Sequence, residues 1–334
     1  MRSFRTGDHG AAVRDIQQRL LGLGERIDER ELDGRFGPST EAAVRAFQAR
    51  RALRVDGIVG PDTWGQLVEA SWRLGDRTLY LREPPFRGDD VRELQRKLNV
   101  LGFDAGREDG VHGQQTDAAV REFQRNVGQE PDGVVGLHTI ATLERMRPQE
   151  RAPSRAVVRE REELRRMRAP IAGQTIAIDP GPIGESAATC RSIAAALARE
   201  LASVGARPEV LAGADEDVSA AERARRANAL GAALCVGLHV GAGGSGPTCS
   251  YFGTDRSHSP VGMRLAGLVL HELEEALGRR GRLQRLSATI LRETRMPAVQ
   301  VEPAALDDPE AARLLEPDRV ARAVAAGIRR FFRS

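Results

Sequence analysis

This chain repeats itself at a period of about 77 residues, and that constrains its fold more than any other feature. Gly10, Val13, Gln17, Leu20, Leu23 and Gly24 return as Gly88, Val91, Gln95, Leu98, Leu101 and Gly102. Asp33-Gly34, Gly37, Thr40, Ala43-Val44 and Phe47-Gln48 return as Asp109-Gly110, Gly113, Thr116, Ala119-Val120 and Phe123-Gln124. Asp56-Gly-Ile-Val-Gly60 and Thr63 return as Asp132-Gly-Val-Val-Gly136 and Thr139. Each copy reads as three short helices. Val13, Ile16, Leu20 and Leu23 fall on one helical face. A second helix is predicted to start near Thr40 or Thr116 as its N-cap, burying Val44 with Phe47, or Val120 with Phe123. The Asp-Gly steps supply tight turns, because glycine tolerates positive φ.

The 334 residues leave room for more than these two copies. Lys+Arg number 50 against 47 Asp+Glu, so there is no strong basic field and no nucleic-acid partner is expected. Cys190, Cys235 and Cys249 form no CxxC pair, and Cys235 lies in an apolar run where a buried inert thiol is expected. That usage fits a reducing compartment. Residues 1–10 lack the apolar core of a signal peptide. The longest apolar stretch, near Ala229 to Val240, is shorter than the roughly 20 residues of a spanning helix. The expectation is a chain without a transmembrane segment, cytoplasmic or peripheral to the inner membrane.

Residues 147–168 hold eight arginines, four glutamates and two prolines, the texture of an exposed linker. Beyond them strands and helices alternate. Strands are predicted at 175–178, 207–211, 233–238 and 297–301, and helices at about 187–203, 219–230, 261–278 and 317–332. The reading is a multidomain chain: two small all-α three-helix domains, 1–75 and 76–146, a charged linker 147–172, and an α/β domain 173–334 with a central sheet flanked by helices.

The spaced glycines, Leu-Gln and Phe-Gln pairs and Asp-Gly steps of residues 7–145 resemble the peptidoglycan-binding domain, type 1, of wall hydrolases, twice over. The later part resembles the zinc-dependent N-acetylmuramoyl-L-alanine amidases, type 3, which cut the bond between the muramoyl lactyl group and L-alanine. Ile176-Ala-Ile-Asp-Pro-Gly181 matches the strand that opens that family. Ser219-Ala-Ala-Glu-Arg223 with Ala227-Asn228 matches its helix motif, and Leu234-Cys-Val-Gly-Leu-His239 the strand ending in a zinc histidine. Leu291 to Glu302 matches the segment that ends in its catalytic glutamate.

Such an amidase holds zinc on three protein ligands with the fourth position open to water. The metal brings the pKa of that water to about 7, and a glutamate off the metal handles the proton. The resemblance puts the ligands at a His after Asp-Pro-Gly, a Glu shortly beyond, and the His ending the central strand. Here Pro182, which has no donor atom, stands where the first His belongs. Glu185 is the remaining candidate for the second ligand, in a shortened loop and one residue out of step. His239 and Glu302 are kept as vestigial metal and catalytic candidates. Gly241, Ala304-Ala305 and Asp308 also depart from the family pattern. His258 and His271 read as surface histidines, Cys190 as a small buried residue, and Trp64, at helical spacing to Leu67, as core.

The order of two repeats, linker and amidase-like domain resembles the actinobacterial cytoplasmic pseudo-amidases, which regulate peptidoglycan precursor synthesis through protein partners. The resemblance implies a regulatory protein that binds peptidoglycan or its precursors and protein partners of cell-wall synthesis, with no cofactor. Two alternatives remain at this point: an active zinc amidase, carrying zinc, and a wall-binding protein that uses its repeats alone.

Overall fold

The computed structural model describes residues 3–146, 170–181, 187–213, 216–240, 246–254, 258–304 and 315–333. It divides into two compact units, Met1–Arg159 and Glu160–Ser334. The linker residues 147–169, and with them Pro182, Glu185, Gly241, Ala305 and Asp308, lie outside the described residues.

In the first unit each repeat is three α-helices. The first copy has α1 (Ala11–Gly22), α2 (Pro38–Arg50) and α3 (Pro61–Glu69). The second has α4 (Asp89–Leu101), α5 (Gln114–Asn126) and α6 (Leu137–Arg145). Each copy builds its own core, around Ile16, Leu20, Val44 and Phe47 in one and Leu94, Leu98, Val120 and Phe123 in the other. Thr40 is not the N-cap of α2. That place is Gly37, and Pro38 enters the first turn with φ already set for a helix. The Glu31 carboxylate instead accepts the backbone N–H groups of Ser39 (3.1 Å) and Thr40 (2.9 Å), closing the exposed helix start from outside. Thr40 is fully buried, and its hydroxyl donates to Glu31 while accepting from Gln17.

The repeated glutamines clasp the Asp-Gly turns. Gln124 donates through Nε2 to Asp132 (2.8 Å) and to the Val134 carbonyl (3.1 Å), and its Oε1 accepts from the Gly133 N–H (2.9 Å). Gln48 does the same at Asp56, Ile58 and Gly57. At Gly110 φ is +77° and a Cβ would lie 2.9 Å from the Gly88 carbonyl oxygen, so no larger residue fits that turn. Arg51 of the first copy makes a two-pronged pair with Asp89 of the second, at 2.7 and 2.6 Å.

The second unit is a six-stranded sheet with helices on both faces. Its strands are β1 (Thr175–Asp179), β2 (Arg207–Val210), β3 (Leu234–Leu238), β4 (Thr248–Phe252), β5 (Arg282–Leu286) and β6 (Ala298–Glu302). The spatial order is β2-β1-β3-β6-β4-β5, parallel except where β4 meets β6 antiparallel. Helices α7 (Ala187–Ser203), α9 (Pro260–Leu277) and α11 (Pro317–Arg333) cover one face, over Ile176, Ile178, Val236, Val299 and Val301. Gly327 lets α11 pass so close to α9 that a Cβ there would sit 2.6 Å from the Val269 Cα. On the other face lie α8 (Ala220–Ala229) and α10 (Thr289–Glu293). No helix among the described residues is long and apolar enough to cross a membrane.

Candidate functional site

Side chains alternate across a strand, so the register of this sheet sorts the α8/α10 face into rows. The innermost row is apolar: Ala177, Cys235, Ala298, Phe252 and Leu286, all buried. The next row is polar. Asp179, Gly237, Gln300, Ser250 and Gln284 stand side by side across five strands. The outermost row, at the carboxyl ends of β3 and β6, holds His239, Glu302, Thr248 and Arg282.

His239 follows β3 and keeps its register. Its backbone N–H donates to the Val301 carbonyl at 2.9 Å, which sets it beside Glu302 on the neighbouring strand. Both residues are half-buried. Gln300, two residues before Glu302 and so on the same face, donates to its Oε1 at 3.5 Å. The two vestigial candidates named from the sequence are thus neighbours. Chain order reverses between β1 and β3, the place where open α/β sheets put their ligand crevice.

Asp179 ends β1 in the same region but is committed elsewhere. It pairs with Arg223 of α8, Nε to Oδ1 at 2.6 Å, with 4% and 6% of the two side chains exposed. It also accepts the Gly181 N–H at 3.0 Å. Gly181 has φ +79°, and a Cβ there would stand 2.7 Å from the Leu238 carbonyl oxygen. The turn after β1 is therefore pressed against the end of β3, directly ahead of Pro182. Asn228, at the end of α8, donates to the Glu293 carbonyl (2.8 Å) and accepts from the Arg295 N–H (2.8 Å), bracing the segment that leads into β6.

In the sequence, Arg223 and Asn228 stand only as members of the Ser219–Asn228 motif, with no role of their own. Their roles become visible when α8 is laid over the sheet. Among the described residues no group of three His, Cys, Asp or Glu comes together as a metal site. Cys235 and Cys249 add no donors to this group: both are fully buried, and burial pushes their thiols up, keeping them protonated. Cys249 also faces the other side of the sheet, in the larger core. His258 and His271 are exposed, and Cys190 is buried in α7. Among the described residues, His239 and Glu302 are the donors brought together here, with Asp179 held by Arg223, where a catalytic zinc takes three protein ligands.

A sequence profile for a peptidoglycan binding domain matches residues 9–67 and 87–143, and one for N-acetylmuramoyl-L-alanine amidase matches residues 173–332. N-acetylmuramoyl-L-alanine amidase CwlM of Mycobacterium tuberculosis is 35% identical over 357 residues, covering 98% of this chain and 87% of that protein. N-acetylmuramoyl-L-alanine amidase CwlL of Bacillus licheniformis is 31% identical over 160 residues, 42% of this chain and 44% of its own. The crystal structure of an N-acetylmuramoyl-L-alanine amidase from Clostridium difficile 630 aligns with a TM-score of 0.42 at 24% identity, over 47% of this chain and 95% of that one. The chain belongs to the N-acetylmuramoyl-L-alanine amidase family, as a member that carries two peptidoglycan binding domains ahead of its amidase domain.

Proposed function

We propose that this protein is a binding and regulatory component of peptidoglycan metabolism whose amidase fold no longer carries a complete zinc site. It holds peptidoglycan or its precursors and acts on precursor synthesis through protein partners, on the cytoplasmic side of the membrane. One observation carries the reading. Pro182 follows the Asp179–Gly181 turn at the position where the family places its first zinc histidine, and Asp179 is neutralised by Arg223. Proline offers no lone pair to a metal, and a carboxylate locked in a buried ion pair is not free to replace the missing ligand.

His239 beside Glu302 is the observation that favours the rival reading of an active zinc amidase. One histidine, with Glu185 as the second candidate, still leaves that site a ligand short.

Elemental analysis of purified protein beside a muropeptide digest separates the two. The expected result is protein with substoichiometric zinc that releases no L-alanine-linked peptides, in wild type and in Glu302→Ala alike. Stoichiometric zinc with cleavage that Glu302→Ala abolishes overturns the proposal. Pro182→His alone is expected to restore nothing, because metal sites tolerate ligand errors of only about 0.5 Å. Cell fractionation checks the location: recovery mainly from the wall or the medium would contradict it.

A further inference from the structure

The segment that joins the two repeats carries a surface that the helical cores do not account for. Trp72 and Tyr80 are 36% and 44% exposed, and Leu81 beside them 43%. Their neighbour Leu79 is fully buried and bridges to Val135, so this stretch is anchored at one point and turned outward beyond it.

The outward side chains are stacked in order. The Arg77 guanidinium lies 4.3 Å from the Trp72 ring and 4.9 Å from the Phe86 ring. Arg82 lies 4.6 Å from Phe86, and Tyr80 meets Phe86 edge-on at 5.2 Å. Arg77 is held further by Asp90, Nε to Oδ2 at 2.7 Å, and by the Arg87 carbonyl at 2.6 Å. The stack is pinned to the second repeat and its aromatic parts lose little freedom when something lands on them. Arg82 differs from Arg77. Its Nε donates to the Pro84 carbonyl at 2.9 Å, and its charge meets no carboxylate among the described residues.

Among its described residues the first repeat has no equivalent stack. The matching stretch, from Phe4 to His9, is shorter and reads Arg5-Thr6-Gly7-Asp8 between those two bridging residues. Trp64 packs partly buried against the first core with Arg19 over its ring.

We propose that the Trp72, Tyr80 and Arg82 surface is the site at which the N-terminal unit contacts peptidoglycan. It takes a disaccharide-peptide: the C–H face of a sugar ring on the exposed aromatic side chains, and a stem-peptide carboxylate on Arg82. Sugar rings present apolar C–H faces that rest on aromatic rings, and a planar guanidinium matches a carboxylate. Stem peptides carry free carboxylates, and the exposed guanidinium of Arg82, which meets no carboxylate among the described residues, is complementary to them. This rests on the peptidoglycan-binding part of the proposed function and adds where that binding occurs.

The test is calorimetric titration of the full chain with a soluble disaccharide-tetrapeptide, beside co-sedimentation with purified insoluble peptidoglycan. Tyr80→Ser and Arg82→Gln are each expected to weaken binding about ten-fold or more, with unchanged melting, since both side chains are at the surface. Leu137→Ser, at a residue 79% exposed on α6, is the control and is expected to bind like wild type. If wild type binds and both patch variants bind equally well, the site is wrong while the peptidoglycan reading stands. If wild type binds neither ligand, both fall. A dimer in sedimentation that Tyr80→Ser dissolves would assign the surface to a second copy of the chain and overturn the proposal.

Discussion

His112 occupies in the second repeat the place that Phe36 occupies in the first. Both follow the repeated Asp-Gly turn, both are sealed from solvent at 0% and 1% exposure, and each donates its backbone N–H at 2.9 Å, to Phe86 or to Asp8. An aromatic hydrocarbon has thus been exchanged for an imidazole, and neither ring nitrogen of His112 finds a hydrogen-bond partner among the described residues.

Acid sensitivity follows from that exchange. Burial pushes the His112 pKa below its ordinary 6.5, against the opposing pull of the Asp117 and Asp90 carboxylates. Arg121 and Arg77 in turn pair with those two carboxylates. Below pH 6.5 the unfolded chain takes up a proton that the folded repeat refuses, so stability is full above that pH and is lost as pH falls beneath it. Amide protection factors across residues 111–124, which set aside the intrinsic pH dependence of exchange, are expected to fall on acidification from about pH 7.5 to about pH 5.5 in wild type. His112→Phe is expected to remove that response and to stabilise the repeat by about 1–3 kcal/mol, the cost of an unmade buried hydrogen bond. An unaltered pH response in His112→Phe would show that other groups set it.

Phe47 and Phe123 sit at equivalent core positions, each fully buried. Replacing either with alanine is expected to cost about 3–5 kcal/mol in denaturant titrations followed by a probe in the N-terminal unit. Losses under about 1 kcal/mol at both sites would contradict the assignment of these residues as the two repeat cores.

The Asp179–Arg223 pair is expected to be structural. Asp179→Asn leaves a buried guanidinium without its partner, and such uncompensated charges cost about 3–5 kcal/mol. The readout is the unfolding midpoint of the C-terminal unit. A variant as stable as wild type would mean that Arg223 finds compensation elsewhere.

Asn228→Ala removes two hydrogen bonds that brace residues 293–295 ahead of β6. The expected loss is about 1–3 kcal/mol, with faster amide exchange at the start of β6. Equal protection in the two proteins would assign the bracing to the neighbouring Arg292–Glu293 pair instead.

Much of this architecture is legible in the sequence because its signals are local. Helical spacing marks α1 through Val13, Ile16 and Leu20, and unbroken apolar runs mark β1 and β3. The strands β4 and β5 are not legible that way. Arg282-Leu-Gln-Arg-Leu286 carries two arginines because it forms an edge, where charge keeps the open strand from pairing further. Thr40 misleads as an N-cap because Gly37 and Pro38 set the helix start, leaving the threonine to the buried network around Gln17. At the site, His239 and Glu302 come from strand-end motifs and fall side by side as the register requires. Arg223 is joined to Asp179 only by the crossover that folds α8 back over the sheet, and no sequence periodicity reports such a distant pairing.

The rows on the α8/α10 face have a consequence for how such a protein can change. The buried side chains of this face, from the apolar row to the Asp179–Arg223 pair, end one step short of the half-buried side chains of His239 and Glu302, whose backbones still belong to the ladder. The strand tips are therefore a margin where residues can be exchanged without loosening the ladder beneath. Changes confined to that margin alter what the crevice can bind while the fold beneath it stays the same.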